Sequence, residues 1–319
     1  MVSASSKNEA CIMKKVALVI VNWNGQKDTL RCLESVGKMR IPDGIQLETI
    51  VVDNGSTDGS VSILSKAYPT AAILALGDNL GFTGGNNTGI QYALKNNADY
   101  VWLLNNDTIV DSHALSLVDA FQDETVGVAG SKIYFAPGHE YHTNRYAKKD
   151  VGRVFWYAGG LVDWDNMYAS HKGVDEVDDG QYDVIEDTTF VTGCSMMIRR
   201  EVFQDIGMLD NRFYLYLEDL DFGLRAKKAS FRLVYFPKSV VWHVNAGSSG
   251  GAGNSMHEYY MTRNRLWIGM KYASIRTRFA LLREAIRFLK ETKSERSRAV
   301  KDFFLQRWGK QYEPKKTNT

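Results

Sequence analysis

The chain has 319 residues, 44% of them apolar and 24% charged, and a net charge of +2. That balance is an ordinary globular one, long enough for one large or two small domains and able to bury a core without staples. Its three cysteines, Cys11, Cys32 and Cys194, are odd in number and never spaced CxxC, which argues against a disulfide framework or a cysteine zinc site and for a reducing, cytoplasmic setting.

No apolar run approaches the roughly 18 residues of a membrane-spanning helix, and the polar start, residues 1–13, reads as a disordered leader without a signal-peptide core. Charge is uneven. From Arg263 to the end, 16 Lys/Arg stand against 5 Asp/Glu. Such asymmetry suggests an anionic partner for the tail.

Taken in order, the first half alternates two periods. Lys15–Trp23 is a β-branched strand and Gln26–Gly37 a helix with Leu30, Leu33 and Val36 on one face. Strands over Gln46–Asp53, Ala71–Leu76, Asp99–Leu104 and Val126–Ile133 are separated by helices over Asp58–Tyr68, Gly85–Asn96 and Ser112–Gln122. Strands divided by helices of this length imply βαβ units and a parallel sheet. The rhythm breaks after Tyr134. An exposed loop over 136–153 is followed by expected strands over Val154–Val162 and Thr188–Ile198, a helix from Arg200, another around Leu217–Lys228 and a strand over Arg232–Phe236. A glycine-serine segment, Gly247–Gly253, reads as a flexible lid. Helices over 256–274, 276–291 and 295–308 close the chain. The expected division is a nucleotide-binding half over 14–134, an acceptor and catalytic half over 135–255, and basic helices over 256–319.

Chemistry concentrates at strand ends. Val52-Asp53-Asn54-Gly55-Ser56 follows the second strand, and Asp53 at its tip can accept a hydrogen bond from the imide N–H of a base. Asp78-Asn79-Leu80-Gly81-Phe82-Thr83-Gly84-Gly85-Asn86 lets backbone approach a ligand at a helix start, but matches neither GxGxxG nor a P-loop, which counts against a nicotinamide dehydrogenase or an ATPase. Leu104-Asn105-Asn106-Asp107 puts one carboxylate and two amides at the carboxyl edge of a sheet, where open α/β sheets bind ligands. Oxygen donors of this kind suit Mg²⁺ or Mn²⁺. In Glu218-Asp219-Leu220-Asp221, residues two apart on a helix point to nearly opposite sides. Asp221 stands four before Arg225 as an ion-pair partner, which leaves Asp219 as the candidate base and Glu218 to orient acceptor or fold. His243 ends an apolar strand just before the glycine-serine segment and reads as a second metal ligand, and Arg263 as a bidentate phosphate clamp. Alone, each motif is also plain turn, capping or core chemistry. Their order along the chain raises the joint reading.

As a set, Val19-Ile20-Val21-Asn22-Trp23-Asn24, the Asp53 and Asn79–Asn86 motifs, Leu-Leu-Asn-Asn-Asp-Thr, Glu-Asp-Leu-Asp and His243 resemble glycosyltransferase family two, with bacterial rhamnosyltransferase-like members nearest. The resemblance covers roughly residues 14–270. It implies a GT-A fold: a Rossmann-like, mostly parallel sheet flanked by helices, an acceptor half, and inversion at the anomeric carbon. Carried over by position, Asp53 holds the uracil or thymine, Asn22 borders base and ribose, Asp78, Asn79 and Asn86 line the nucleotide pocket, and Asp219 is the base. Asp107 takes the last position of the DxD motif. Asn105 replaces the first aspartate, so a two-carboxylate grip on the divalent cation is absent and His243 is the expected compensation.

The function this implies is sugar transfer, best read as L-rhamnose from dTDP-rhamnose to a glycan or lipid-linked saccharide. A UDP-sugar-dependent galactosyl-, galactofuranosyl- or N-acetylglucosaminyltransferase is the alternative, and a non-catalytic sugar-nucleotide-binding protein the next. The basic tail, with Ile286, Phe288, Leu289, Phe303, Phe304, Leu305 and Trp308 among its charges, reads as a peripheral contact with an anionic membrane face. A solvated appendage and a homodimer contact are the competing readings. No nucleic-acid recognition motif is present.

Overall fold

The structure is a computed structural model and describes residues 13–142, 145–244, 254–292 and 294–312. The leader, the glycine-serine segment read as a lid and the extreme tail lie outside the described residues. Strand β1 (Lys14–Asn22) runs through the middle of the core, with Val16, Ala17, Leu18, Val19 and Ile20 fully buried. A strand covered on both faces must be apolar without alternation, and Val-Ala-Leu-Val-Ile meets that requirement. Helix α1 (Gln26–Val36) follows, then β2 (Ile45–Asp53), α2 (Ser60–Ala67), β3 (Ala72–Ala75), α3 (Gly81–Lys95) and β4 (Tyr100–Asn105). Strands β1, β2, β3 and β4 are parallel, so their carboxyl tips share one edge.

The sheet continues past the expected half-boundary. Strand β5 (Thr108–Val110), a 3₁₀ helix over Ala114–Gln122 and β6 (Val126–Phe135) come next. Then follow β7 (Phe155–Tyr157), β8 (Gly160–Asp163), β9 (Tyr168–His171), β10 (Glu186–Asp187), β11 (Ser195–Arg199), α4 (Arg200–Ile206), α5 (Glu218–Lys228) and β12 (Arg232–His243). The main sheet has ten strands in the order β10-β12-β6-β11-β4-β1-β2-β3, with β5 on β12 and β7 on β6. Strand β11 is antiparallel to both β4 and β6, so it enters at the edge where β4 ends.

Several expected elements differ. The strand expected over Val154–Val162 is two strands in two sheets, because Gly159 turns the chain at a φ of +121°, a conformation that suits glycine. Of the strand expected over Thr188–Ile198, only Ser195–Arg199 forms. The residues before it make a buried turn. The last strand is far longer than expected. It passes Pro237 with a register shift between Phe236 and Val240, since proline has no N–H for the ladder. Helix α3 starts at Gly81 rather than Gly85 because the Asn79 and Asn54 side chains accept from the Gly81 and Leu80 N–H groups.

Helices α6 (Ser255–Tyr272), α7 (Ile275–Leu289) and α8 (Glu295–Phe304) pack into a separate apolar cluster. Among the tail residues expected on the surface, Phe288 and Phe303 pack against that cluster, and Trp308 lies against Trp267 with ring centroids 4.7 Å apart. Among the described residues, no helix is long and apolar enough to cross a membrane.

Candidate active site

Parallel pairing alone assembles the first part of the site. Asn22 ends β1 opposite Asp53 at the end of β2, and Val21 stands opposite Asn105 at the end of β4. The Asn22 amide donates to an Asp53 oxygen at 2.7 Å and to Ser56 Oγ at 3.1 Å. Its carbonyl oxygen accepts from Thr29 Oγ1 at 2.7 Å, and Thr29 accepts from the Asn106 amide at 3.0 Å. Asn22, Asp53 and Asn106 thus form one hydrogen-bonded chain through Thr29, a residue the sequence did not single out. The second Asp53 oxygen accepts the Ser56 N–H. Asp53 is buried, so these bonds hold its carboxylate at the strand tip.

Next along the edge, the Asn54 amide donates to Asn79 Oδ1 and to the Gly81 carbonyl, each at 3.0 Å. Asp78 lies exposed in the turn so formed. Gly55 must be glycine here: its φ is +78°, and a Cβ would sit 2.7 Å from the Asp78 carbonyl carbon. Asn86 donates back to Phe82 O within its own helix. Its neighbour Asn87 reaches across to Leu209 O and Asn211 Oδ1.

Asp107 and His243 meet. Strand β5 pairs with the end of β12, Thr108 opposite His243, and Val244 N–H donates to the Asp107 carbonyl. His243 Nε2 then lies 3.2 Å from Asp107 Oδ1. Its ring packs edge-on against Trp156, which also packs against His171. His171 gives Trp156 O a 3.0 Å contact from Nδ1, and burial lowers its pKa to about 4, so the imidazole is neutral near pH 7. His243 Nδ1 is buried without a hydrogen-bond partner. A carboxylate oxygen and an imidazole nitrogen about 3 Å apart can both touch a cation at roughly 2.1 Å, and Mg²⁺ commonly takes one or two protein ligands plus phosphate oxygens and water. Among the described residues, no group of three or more His, Cys, Asp or Glu gathers to hold a metal. The Asp107 and His243 pair fits a cation whose remaining ligands come from outside these side chains.

The second carboxylate comes from the other side of one turn. Cys194 O accepts the Asn105 N–H at 3.0 Å, while the preceding Gly193 N–H donates to Asp219 Oδ2 at 3.1 Å. Burial, followed by the nearby Asp107 charge, raises the Cys194 thiol pKa. The turn at Gly193–Cys194 thus joins the β4 tip to the start of α5. Asp219 Oδ1 accepts the Leu220 N–H. Burial raises the Asp219 pKa, opposed by the N–H groups of Gly193 and Leu220. Glu218 is buried, and its Oε2 has no partner. Burial and then the Asp219 charge push it well above the usual carboxylate range. Burial thus raises both carboxyls, Glu218 well above its usual range, where the Asp219 charge adds to the effect. Asp221 takes no part. Fully buried, it binds Arg225, Lys271 and Tyr272.

What aims Glu218 and Asp219 is a strained approach. Tyr214, Tyr216 and Leu217 all have left-handed backbones, with φ of +66°, +71° and +67°. Two neighbours on α6 hold that segment. The Asn264 amide donates to the carbonyls of Phe213 (3.1 Å), Leu215 (2.8 Å) and Tyr216 (2.9 Å). Arg263, expected as a phosphate clamp, is a fully buried staple instead. It donates to the carbonyls of Arg212, Phe213, Arg307 and Gly309 and to Asn264 Oδ1. A guanidinium has five N–H donors, and five acceptors in the protein take them. Asn264 was missed although it adjoins Arg263; an amide beside a buried cation is the signal that points to it. Against this loop, Gly81 adopts a φ of +75°, and a Cβ there would meet the Tyr214 ring at 2.4 Å. The loop that aims Asp219 therefore rests directly on the start of α3.

Comparison with known proteins agrees with this architecture. Residues 14–267 match the family model described as glycosyltransferase like family 2. The chain belongs to that family. It is 26% identical over 216 residues to an N-acetylglucosaminyl-diphospho-decaprenol L-rhamnosyltransferase of Mycobacterium tuberculosis, an alignment covering 64% of this chain and 68% of the relative. It is 23% identical over 269 residues to a galactofuranosyltransferase of Mycolicibacterium smegmatis, covering 79% of this chain and 40% of the relative. Two solved structures share the fold. One is GalNAc-T7 with UDP, GalNAc and Mn²⁺ (TM-score 0.62, 17% identity, 92% of this chain, 56% of that one). The other is a mannosyltransferase of Pyrobaculum calidifontis with GDP-Man and Mn²⁺ (TM-score 0.54, 16% identity, 92% of this chain, 74% of that one). The fold is GT-A.

Proposed function

We propose that this family 2 glycosyltransferase moves a sugar with inversion, L-rhamnose from a dTDP donor in the first reading, onto a saccharide acceptor carried by a lipid, at the inner face of the membrane. The observation that carries the mechanism is the Gly193–Cys194 turn, which bonds Asp219 on one side and, on the other, Asn105 at the tip of β4, two residues before Asp107. Asn22, Asp53 and the Asn79 turn form the wall that takes the base and ribose, and Asp107 with His243 would hold Mg²⁺ or Mn²⁺. When bound, that cation neutralises charge on the leaving group. Asp219 accepts the proton of the acceptor hydroxyl as its oxygen bonds to C1, the C1–oxygen bond to the diphosphate breaks, and the nucleoside diphosphate departs.

The likeness to a rhamnosyltransferase that uses a diphospho-decaprenol saccharide supports the lipid-linked acceptor. The likeness to a galactofuranosyltransferase supports a second reading, a UDP-sugar donor. A thermal-shift screen of dTDP-rhamnose, UDP-galactose, UDP-galactofuranose and UDP-N-acetylglucosamine, with and without Mn²⁺, separates the two. Ligand at 100 times Kd stabilises by about 2.7 kcal/mol, and dTDP-rhamnose should give the largest shift. Preferential stabilisation by a UDP-sugar would move the assignment to the second reading. No shift with any nucleotide-sugar would sink both.

A further inference from the structure

Helix α7 presents two faces of opposite character. Thr277, Leu281 and Ala285 are buried beneath it. On the other side Ile275, Phe279 and Ile286 are 72%, 70% and 55% exposed. At about 100° per residue these three, with the exposed Leu289, fall in one outward stripe. Apolar residues four and seven apart, left in water over the whole helix, are an unpartnered surface rather than scattered exposure. The charges are sorted as well. Exposed Arg276, Arg283, Arg287 and Lys290 line one flank of the stripe, and among the described residues none of the four has an acidic partner.

The geometry points to α7 as a docking helix that lies in the plane of an anionic lipid surface, its apolar stripe among the acyl chains and its basic flank at the headgroups. This rests on the lipid-linked acceptor of the reading above and names the element that brings the enzyme to it. A helix with a strong apolar face and a basic border binds membranes in this way, and cations beside a negatively charged leaflet add to the attraction. A second copy of the chain is a poor occupant. Within α7, four arginines stand against the single Glu284, and Glu284 is already paired with Arg265 at 2.7 Å. Two such helices face to face would oppose like charges with no acid to relieve them. The basic flank chooses the lipid.

Co-sedimentation of the full chain with vesicles tests this. One set is phosphatidylcholine alone and the other is rich in phosphatidylglycerol. The wild-type chain should pellet with anionic vesicles and be released by salt. Phe279→Glu/Ile286→Glu should lose at least about tenfold in binding, since two apolar contacts become like-charged with the surface. Both positions are exposed, so the variant should keep its thermal shift with the nucleotide-sugar, which also shows that it is folded. Equal binding by the variant, or equal salt-insensitive binding to both vesicle types, overturns the inference. A wild-type dimer abolished by the double substitution, with no vesicle binding, overturns it in favour of self-association. A wild-type chain that binds anionic vesicles but gives no shift with any nucleotide-sugar counts against the glycosyltransfer reading and leaves the docking helix standing.

Discussion

Replacing Asn264 by alanine should slow the reaction although the side chain touches neither the metal-fitting pair nor the Asp219 carboxylate. The loop it holds contains three left-handed non-glycine residues, a strain of about 3–6 kcal/mol at 1–2 kcal/mol each. The two N–H groups of the Asn264 amide serve three loop carbonyls, one hydrogen being shared. At about 0.5–1.5 kcal/mol per net bond, and more for a buried carbonyl left unmet, its loss weakens the loop by roughly 2–4 kcal/mol. That is comparable to the strain, so the loop should relax and shift the start of α5. A misplacement of about 1 Å can cost about 10²-fold in rate. We expect kcat to fall about 100-fold, donor Kd to stay within about threefold, and the melting temperature to drop by about 4–8 °C. Asn264→Asp keeps the oxygen that Arg263 Nε uses but loses the N–H donors, and should match the alanine variant in kcat. Initial rates at saturating donor, calorimetric Kd and thermal unfolding measure all three. A lowered melting temperature with unchanged kcat would refute the aiming role and leave Asn264 a purely structural residue.

Other outcomes follow from the same geometry. Asp219→Asn should reduce turnover by about 10²–10⁴, the usual worth of a placed general base, while calorimetry shows donor binding intact; unchanged turnover removes Asp219 from that role. The acid limb of the wild-type rate profile should lie above the ordinary aspartate range, because burial raises this carboxyl. Glu218 should leave a mark on stability. Its folded pKa is raised, so the folded state keeps a proton that the unfolded chain has released, and stability falls as pH climbs from the ordinary glutamate range toward the folded value. Glu218→Gln removes that loss, and its gain in melting temperature over wild type should grow from pH 5 to pH 8; a pH-independent difference contradicts the raised pKa. His243→Ala should shrink the extra stabilisation that Mn²⁺ gives to nucleotide-sugar binding, read by thermal shift with and without the ion, and an undiminished Mn²⁺ effect argues against His243 as a ligand.

Local chemistry wrote much of this protein into its sequence. Val-Ala-Leu-Val-Ile in β1 can only be a strand covered on both faces, and strand–helix alternation up to β4 requires a parallel sheet. Parallel pairing then puts Asn22, Asp53 and Asn105 on one edge with no further information. Asp221 was likewise legible, through its spacing to Arg225. What the sequence could not supply is where long-range pairings close. Asp107 reaches His243 only because a three-residue strand, too short to show any periodicity, pairs with the far end of β12. Asp219 reaches the same neighbourhood through a turn that had the composition of a strand. Arg263 shows the limit most plainly: a guanidinium suits a phosphate and a ring of carbonyls equally well, and only the packing of α6 against the loop at 212–216 decided which of them it met.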